Sequence, residues 1–420
     1  MTMRRRVVVT GLGVVTPLGH DVSSFFGALL EGRSGVSFID QFPTDRLRSD
    51  IAASVRGYDV AKFMSPKEAS IYGRVTHLSV GAIAEAMAMA KIPTREHAVA
   101  LVDRTRVGCL MSTGMGSVDI FEEEVAKSAT RGVRAVSPFF IPGVMPNGTA
   151  AWTMIQYGLM GPSYSLASAC ATGTHSIASA AMMIEADDAD VMIAGGAEAA
   201  TRPNCVAGFG NARALARAFE GDPKRASRPF DKKRSGFVMG EGAGALVLEE
   251  EQHALRRGAK PLAYVAGYGM TSDAEHLTRP HPDGLGLALA IERAMKRAGC
   301  NANDIGYVNP HATSTPQGDV AEYAALMRAL GGRLRSIPIS ATKSMIGHLL
   351  GGAGAVESVA VICTLRDRRI HPSINVDELD PVFDLDVVRG EPRHVDVRFA
   401  LKTSAGFGGH NCALIFERAS

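Results

Sequence analysis

Paired cysteines are missing from this 420-residue chain. Its six cysteines stand singly, at Cys109, Cys170, Cys205, Cys300, Cys363 and Cys412, and no CxxC occurs. That excludes the usual spacing of a structural zinc site and a disulfide-stapled secreted scaffold, and it favours a reducing compartment. Aromatic residues are scarce, at 6% with a single tryptophan. With 45 basic against 43 acidic residues there is no excess of one sign either. Stacking on bases and an electrostatic grip on nucleic acid are therefore not expected. A full dinucleotide fingerprint is absent, since Gly11-Leu-Gly13 and Gly114-Met-Gly116 lack the third glycine, and there is no Walker motif.

Charge is missing altogether from Ala135 to Ile184, which contains no Asp, Glu, Lys or Arg. Pro138, Pro142, Pro146 and Pro162 interrupt it, so a bilayer-spanning helix with every backbone group satisfied is not expected. Burial in a core or subunit interface is. The basic start, Met1 to Arg6, leads into Val7–Thr10 like a secretion signal. Gly11, Gly13 and Pro17 then break the apolar run, so a cytoplasmic protein without membrane insertion is expected.

What is abundant is glycine, 45 residues, and a repeated alternation of β-branched runs with alanine-rich helical stretches. Strand-like runs at Val7–Thr10, Val107–Met111, Ser163–Ala169, Val191–Ala194 and Ala245–Leu248 alternate with helical patterns at Val22–Leu30, Val118–Lys127 and Thr172–Glu185. The order restarts with Leu262–Gly269, and helices follow over Gly286–Ala298, Asp319–Leu330 and Gly351–Leu365. Phe399–Thr403 and Cys412–Phe416 close it. This predicts an α/β fold with a largely parallel sheet, built from two similar halves, 1–255 and 256–420, with the site where they meet. Asn211–Gly236, rich in Arg, Asp, Pro and Ser, reads as an exposed excursion, and Lys232-Lys-Arg234 as a solvated cluster.

Four segments carry candidate chemistry. Ser168-Ala-Cys170-Ala-Thr-Gly-Thr-His175 places a thiol at the start of a helix, where the dipole and unpaired N–H groups favour the thiolate. Taken alone, Cys170 also reads as a small buried residue that packs like alanine. In Asn309-Pro-His311-Ala-Thr-Ser-Thr-Pro-Gln-Gly-Asp319, a strand delivers His311 into a polar loop. Ser340-Ala-Thr-Lys343-Ser-Met-Ile-Gly347-His348 does the same for Lys343 and His348, with Glu357 on the following helix in reach of Lys343. Finally, Gly406-Phe407-Gly-Gly409 sets an aromatic on a flexible loop that reads as a gate, with a backbone N–H able to donate to an oxyanion. Zinc ligation by Cys170, His311 and His348 matches no known spacing, so no metal is expected.

In combination with Val8-Val-Thr-Gly-Leu-Gly-Val-Val-Thr-Pro-Leu-Gly19, Ser227-Arg-Pro-Phe-Asp231 and Gly240-Glu-Gly-Ala-Gly244, these segments make the chain resemble the β-ketoacyl-[acyl-carrier-protein] synthases. These are type II condensing enzymes of the thiolase-like superfamily. The resemblance runs nearly end to end. It implies a layered α-β-α-β-α fold and a decarboxylative condensation that elongates an acyl chain by two carbons. Cys170 would carry the acyl group, and His311 and His348 would stabilise an enolate derived from a malonyl thioester. Lys343, tied by Glu357, would orient them, with Asp319 and Glu322 supporting the histidine loop. Phe407 would gate the site and donate its N–H. Thr313 and Thr315 would contact the pantetheine arm, and Met115 would limit acyl depth. Arg134 and Arg213 would meet an acidic acyl carrier protein. A homodimer is implied, and no cofactor beyond the carrier's 4′-phosphopantetheine. The thiolase alternative needs a second cysteine, for which Cys412 is the only candidate near the final loop. A non-catalytic ketosynthase-like subunit would lack the nucleophile.

Overall fold

A computed structural model describes residues 5–92, 95 and 102–419. The start of the basic leader-like stretch, Met1 to Arg4, therefore lies outside the described residues. Ten strands form one sheet: β1 (Val7–Val15), β2 (Val107–Thr113), β3 (Val191–Glu198), β4 (Gly242–Glu250), β5 (Ala263–Ser272), β6 (Ile305–Asn309), β7 (Pro338–Ile339), β8 (Asp386–Val387), β9 (Phe399–Gly406) and β10 (His410–Arg418). Their order across the sheet is β8-β7-β6-β9-β10-β5-β1-β4-β3-β2. Read outward from the β1–β5 seam, each side begins with its first strand, then its last, its last but one and its second. The directions repeat as well: antiparallel, antiparallel, parallel on both sides.

The sheet is mixed, not largely parallel. β1 pairs antiparallel with both β4 and β5, and β9 and β10 form a hairpin through the Phe407 loop. Alternating strand and helix patterns suggested crossovers throughout, but the chain uses them only towards the two edges. Ser163–Ala169 is not a strand. It runs along the outer strand β2 with one bridge, Cys109 to Ser163, and the Ser112 hydroxyl accepts from the Leu166 N–H. A side chain there does what a ladder would otherwise do.

Helices make the remaining layers. α1 (Arg74–Ala90) packs outside β1, β3 and β4, and α3 (Leu285–Ala298) packs outside β5, β9 and β10, backed by α4 (Pro316–Leu330). Between the two sides lie α2 (Thr172–Glu185) and α5 (Ala353–Asp367), which touch strands of both. α5 is buried continuously from Ala353 to Leu365. A helix buried on every side suits a middle layer with no solvent face. The result is α-β-α-β-α layering, with the core divided among three main apolar clusters. No helix among the described residues is long and apolar enough to cross a membrane.

The segment expected as an exposed excursion is buried from Ala226 to Asp231. Arg228, 1% exposed, donates to Asp231 at 2.9 Å and to Asp377 at 2.8 Å. Arg234 leaves the solvated cluster to pair with Asp380 at 2.7 Å. Paired charges can be buried where lone ones cannot, and composition alone does not show the pairing.

Candidate functional site

The nucleophile candidate is set by a short turn. Ala169, Cys170 and Ala171 form one 3₁₀ turn that runs directly into α2. Ala169 adopts φ +49°, an uncommon conformation for a residue with a side chain. Thr172 holds the turn, accepting from the Ser168 N–H at 2.9 Å and donating to the Ala169 carbonyl at 2.8 Å. Gly406, at the end of β9, closes over it: a Cβ there would lie 2.6 Å from the Ser168 carbonyl oxygen and 3.1 Å from the Cys170 nitrogen. The N–H groups of Phe407 and of Cys170 itself both reach the sulfur.

The two histidines come from the other side of the sheet. β6 ends at Asn309, and the next turn carries His311 through two left-handed residues, Ala312 (φ 36°) and Ser314 (φ 69°). Glu322 on α4 holds that loop with both carboxylate oxygens: Oε1 accepts from the His311 N–H and Oε2 from the Ala312 N–H, each at 2.7 Å. The Thr403 hydroxyl on β9 donates to the same carboxylate at 2.6 Å. Asp319, completely buried, accepts from the N–H groups of Ser314 and Phe230, and burial pushes its carboxyl up to about 7. The supporting positions of Asp319 and Glu322 are thus physical braces on the loop.

The His311 and His348 rings meet edge to face with centroids 5.2 Å apart. Lys343 Nζ lies 3.5 Å from His311 Nδ1 and donates to Glu357 Oε1 at 2.5 Å. An ion-paired ammonium offers protons and no lone pair, so Nδ1 of His311 is the acceptor and Nε2 carries the proton. The Leu350 N–H donates to His348 Nδ1 at 3.3 Å, which puts the His348 proton on Nε2 as well. That Nε2 is buried and has no hydrogen-bond partner among the described residues. Burial first, and then the positive charge of Lys343, hold both imidazoles well below the usual histidine range. Both are neutral donors near pH 7.

Cys170, His311, Thr313, Thr315, Glu322, His348, Phe407 and Arg213 all line one cavity of about 480 Å³. The Thr313 and Thr315 hydroxyls lie 3.0 Å apart at its wall. Phe407, 38% exposed, begins an aromatic row that runs through Phe209 and Phe237 to His348, with successive ring centroids 6.3, 5.3 and 5.4 Å apart. Lys343 and Glu357 lie behind this lining, each about 1% exposed. Arg134 is on the surface, in the single turn Val133–Ala135.

One expectation changes. Cys170 is not held as a thiolate: burial pushes the thiol up to about 12, outweighing the nearby Lys343 and the two N–H donors. The helix start is where the sequence places it, but the protein packed around the sulfur desolvates it, and desolvation opposes charge. Met115 does not line the cavity. It is 39% exposed, on the turn after β2 whose N–H groups are tied to Glu198.

Two residues escaped the sequence reading. Glu198, at the end of β3, is completely buried, accepts from Thr113 Oγ1 at 2.7 Å and from the N–H groups of Gly114, Met115 and Gly351, and sits close enough to raise the Cys170 thiol. Lys402 on β9 is completely buried beside Glu357. Each is a lone charged residue in an otherwise apolar or small-residue strand, and that was its available signal. Cys412 is buried on β10 outside the cavity lining, with its thiol driven far above the ordinary range by burial.

This constellation, a turn-borne thiol facing two neutral imidazoles across a layered α-β-α-β-α core, defines a condensing enzyme of the thiolase-like class. The chain belongs to the β-ketoacyl synthase family: its N-terminal domain matches residues 4–254 and its C-terminal domain residues 262–377. It is 43% identical over 416 residues to the 3-oxoacyl-[acyl-carrier-protein] synthase 2 of Vibrio harveyi, covering 99% of both chains. It is 41% identical to the protein of the same name from Synechocystis, covering 99% of this chain and 98% of the other. Among solved structures, a β-ketoacyl synthase from Burkholderia phymatum superposes with a TM-score of 0.91 at 35% identity, over 99% of this chain and 100% of that one. A type II polyketide ketosynthase, solved with its acyl-carrier protein and bound to the hexaketide, gives a TM-score of 0.91 at 30% identity, over 99% and 100%. Like its relatives, the chain is an acyl-transferring condensing enzyme.

Proposed function

We propose that the protein is a 3-oxoacyl-[acyl-carrier-protein] synthase that elongates an acyl chain held on Cys170 with two carbons from malonyl-carrier protein. The observation that carries this is the convergence of Cys170 Sγ and two Nε2–H donors, His311 and His348, on one cavity.

In the first half-reaction Sγ attacks the acyl thioester. A carbon–sulfur bond forms to Cys170, the bond to pantetheine breaks, and the thiol proton leaves with the pantetheine thiol. Because the resting thiol is neutral, ionisation accompanies attack. The N–H groups of Cys170 and Phe407 receive the oxyanion, and such a donor is typically worth about 2.7–4 kcal/mol.

In the second half-reaction the malonyl carbon–carboxylate bond breaks and releases carbon dioxide. The electron pair moves to the thioester oxygen, where His311 and His348 donate. The resulting carbanion attacks the acyl-cysteine carbonyl, a carbon–carbon bond forms as the carbon–Sγ bond breaks, and the released Cys170 thiolate takes up one proton from solvent. Donors that stay neutral suit this step, because they stabilise the enolate without protonating its carbon. Phe407 gates access, and Thr313 and Thr315 receive the pantetheine arm.

This reading needs no resident metal or redox group, since both substrates arrive on 4′-phosphopantetheine. Acyl carrier protein is the partner, met by Arg213 at the cavity mouth and by Arg134. The exposed apolar side chains of the uncharged segment, among them Phe139, Ile141, Ile155 and Met160, favour a homodimer. The two domains divide near residue 255, and the cytoplasm is the compartment. The higher identity to the 3-oxoacyl-[acyl-carrier-protein] synthase 2 of Vibrio harveyi, 43%, than to the polyketide ketosynthase, 30%, favours fatty-acid elongation.

The test is intact-protein and peptide mass spectrometry after incubation with acyl-carrier proteins of graded chain length. The expected result is one acyl mass on Cys170, lost in Cys170→Ala. Acylation elsewhere, or none, overturns the reading.

A further inference from the structure

Lys402 has no place in the chemistry described so far, yet it is among the largest completely buried side chains of the protein. It lies on β9 opposite Asn309, the last residue of the strand that delivers His311. Its Nζ is 2.8 Å from Glu357 Oε2, while Lys343 Nζ is 2.5 Å from Oε1. Lys402 also donates to its neighbour's carbonyl, that of Thr403, and reaches Ser404 Oγ at 3.3 Å. One carboxylate thus bridges two ammonium groups in a region at most 1% exposed. Burial pulls the Lys402 ammonium below its ordinary range while Glu357 opposes that shift, so two amines share one carboxylate directly behind the two imidazoles.

We propose that Lys402 is a positioning residue for the decarboxylation step: it fixes the second oxygen of Glu357 so that Lys343 stays on His311, and it adds to the positive charge behind the two imidazoles. This rests on the condensing reading above. The charged and titratable groups around the pair are Lys343, Lys402 and Glu357 behind the rings, Glu322 on the His311 backbone, and Cys170, itself facing Glu198, across the cavity. Lys402 acts on both rings in the same direction as Lys343. An unpaired buried ammonium would be costly, and the shared carboxylate is what makes this one tolerable.

The test compares wild type with Lys402→Met, which keeps an unbranched chain and removes the charge. Carbon dioxide release from malonyl-carrier protein should fall on the order of tenfold to a hundredfold, as expected when a reacting group loses its alignment. Acyl transfer to Cys170 should stay within about threefold, because that step leans on the oxyanion N–H groups. The acid limb of the decarboxylation pH profile should move up by about one unit, since a nearby positive charge no longer opposes imidazolium formation. The double variant Lys402→Met/Glu357→Gln again leaves one uncompensated ammonium, so its acid limb should return towards that of wild type. An unmoved limb with equal losses in both half-reactions would mean a merely structural role and overturns the proposal. If Lys402→Met does not fold, the same question is put to Glu357→Gln with and without Lys402→Met, and no upward shift on adding Lys402→Met overturns it. A wild-type enzyme that neither acylates Cys170 nor releases carbon dioxide would instead sink the condensing reading itself.

Discussion

Gly406→Ala is the sharpest single perturbation the site allows. Gly406 does not use a positive φ, so alanine is acceptable to the local backbone and the effect must come from space. The added Cβ would sit 2.6 Å from the Ser168 carbonyl oxygen, where ordinary contact begins at 3.4 Å, so the two segments must part by about 0.8 Å. Both are backbone and cannot rotate away. The N–H groups of Cys170 and Phe407 flank the point of collision, one on each segment, so the displacement separates the two proposed oxyanion donors. Losing one such donor typically costs about a hundredfold to a thousandfold in rate. Acyl transfer to Cys170, followed by quenched-flow mass spectrometry, should fall by that factor. Carbon dioxide release from malonyl-carrier protein depends on His311 and His348, which the substitution does not touch, and should stay within about threefold. Acyl transfer within threefold of wild type, or an equal fall in both steps, would refute the assignment of these N–H groups to the oxyanion.

Two further outcomes are expected. Burial raises Glu198 to about 7 from an ordinary value of 4.5, so the folded state holds its proton more tightly than the unfolded one. That contribution to stability is complete below about pH 4.5 and is lost as pH rises towards 7, a change of about 3 kcal/mol if the shift acts alone. Glu198→Gln, whatever its absolute Tm, should lack this part of the decline in Tm between pH 4.5 and 7.5, and a decline as steep as that of wild type would exclude the assignment. Arg213→Glu, at the exposed cavity mouth, should slow acylation by acyl-carrier protein about tenfold at low salt and less at high salt, with acyl-pantetheine used as before. A loss that is equal for both substrates would place Arg213 outside the carrier interface.

The parts of this protein that were legible in its sequence are those where one residue type answers one local demand. Helical spacing of small and apolar residues predicted Val22–Leu30 and Thr172–Glu185 with the ends that the structure shows, because helix limits follow local propensity and spacing. Cys170, His311, Lys343 and His348 stood out as reactive side chains in small-residue turns and loops, and Phe407 as an aromatic between glycines, because such residues have few structural uses there. Sheet direction was not legible. Whether β4 runs antiparallel to β1 depends on where the chain crosses, and both faces are buried either way, so the pattern of apolar residues is the same. The ionisation of Cys170 was misread for a related reason: helix position is visible in sequence, whereas the desolvation that overrides it belongs to the assembled cavity.

The buried charges close the argument. Asp319, Glu322, Lys343, Glu357 and Lys402 stand in the sequence as unrelated residues on α4, β9, α5 and the loops between, and each alone would be a liability in the core. Folding the second half joins them. β9 brings Thr403 to Glu322 and Lys402 to Glu357, while α5 brings Glu357 to Lys343. The same middle layer holds α2, with Cys170 at its start, against α5; a Cβ on Gly173 would lie 2.9 Å from the Ala355 nitrogen. The braces on the histidines and the packing that sets the nucleophile therefore share one seam. Residues behind the cavity lining, such as Glu357 and Gly173, should consequently tolerate substitution less well than the exposed Arg213 at the cavity mouth, read as the larger fall in Tm.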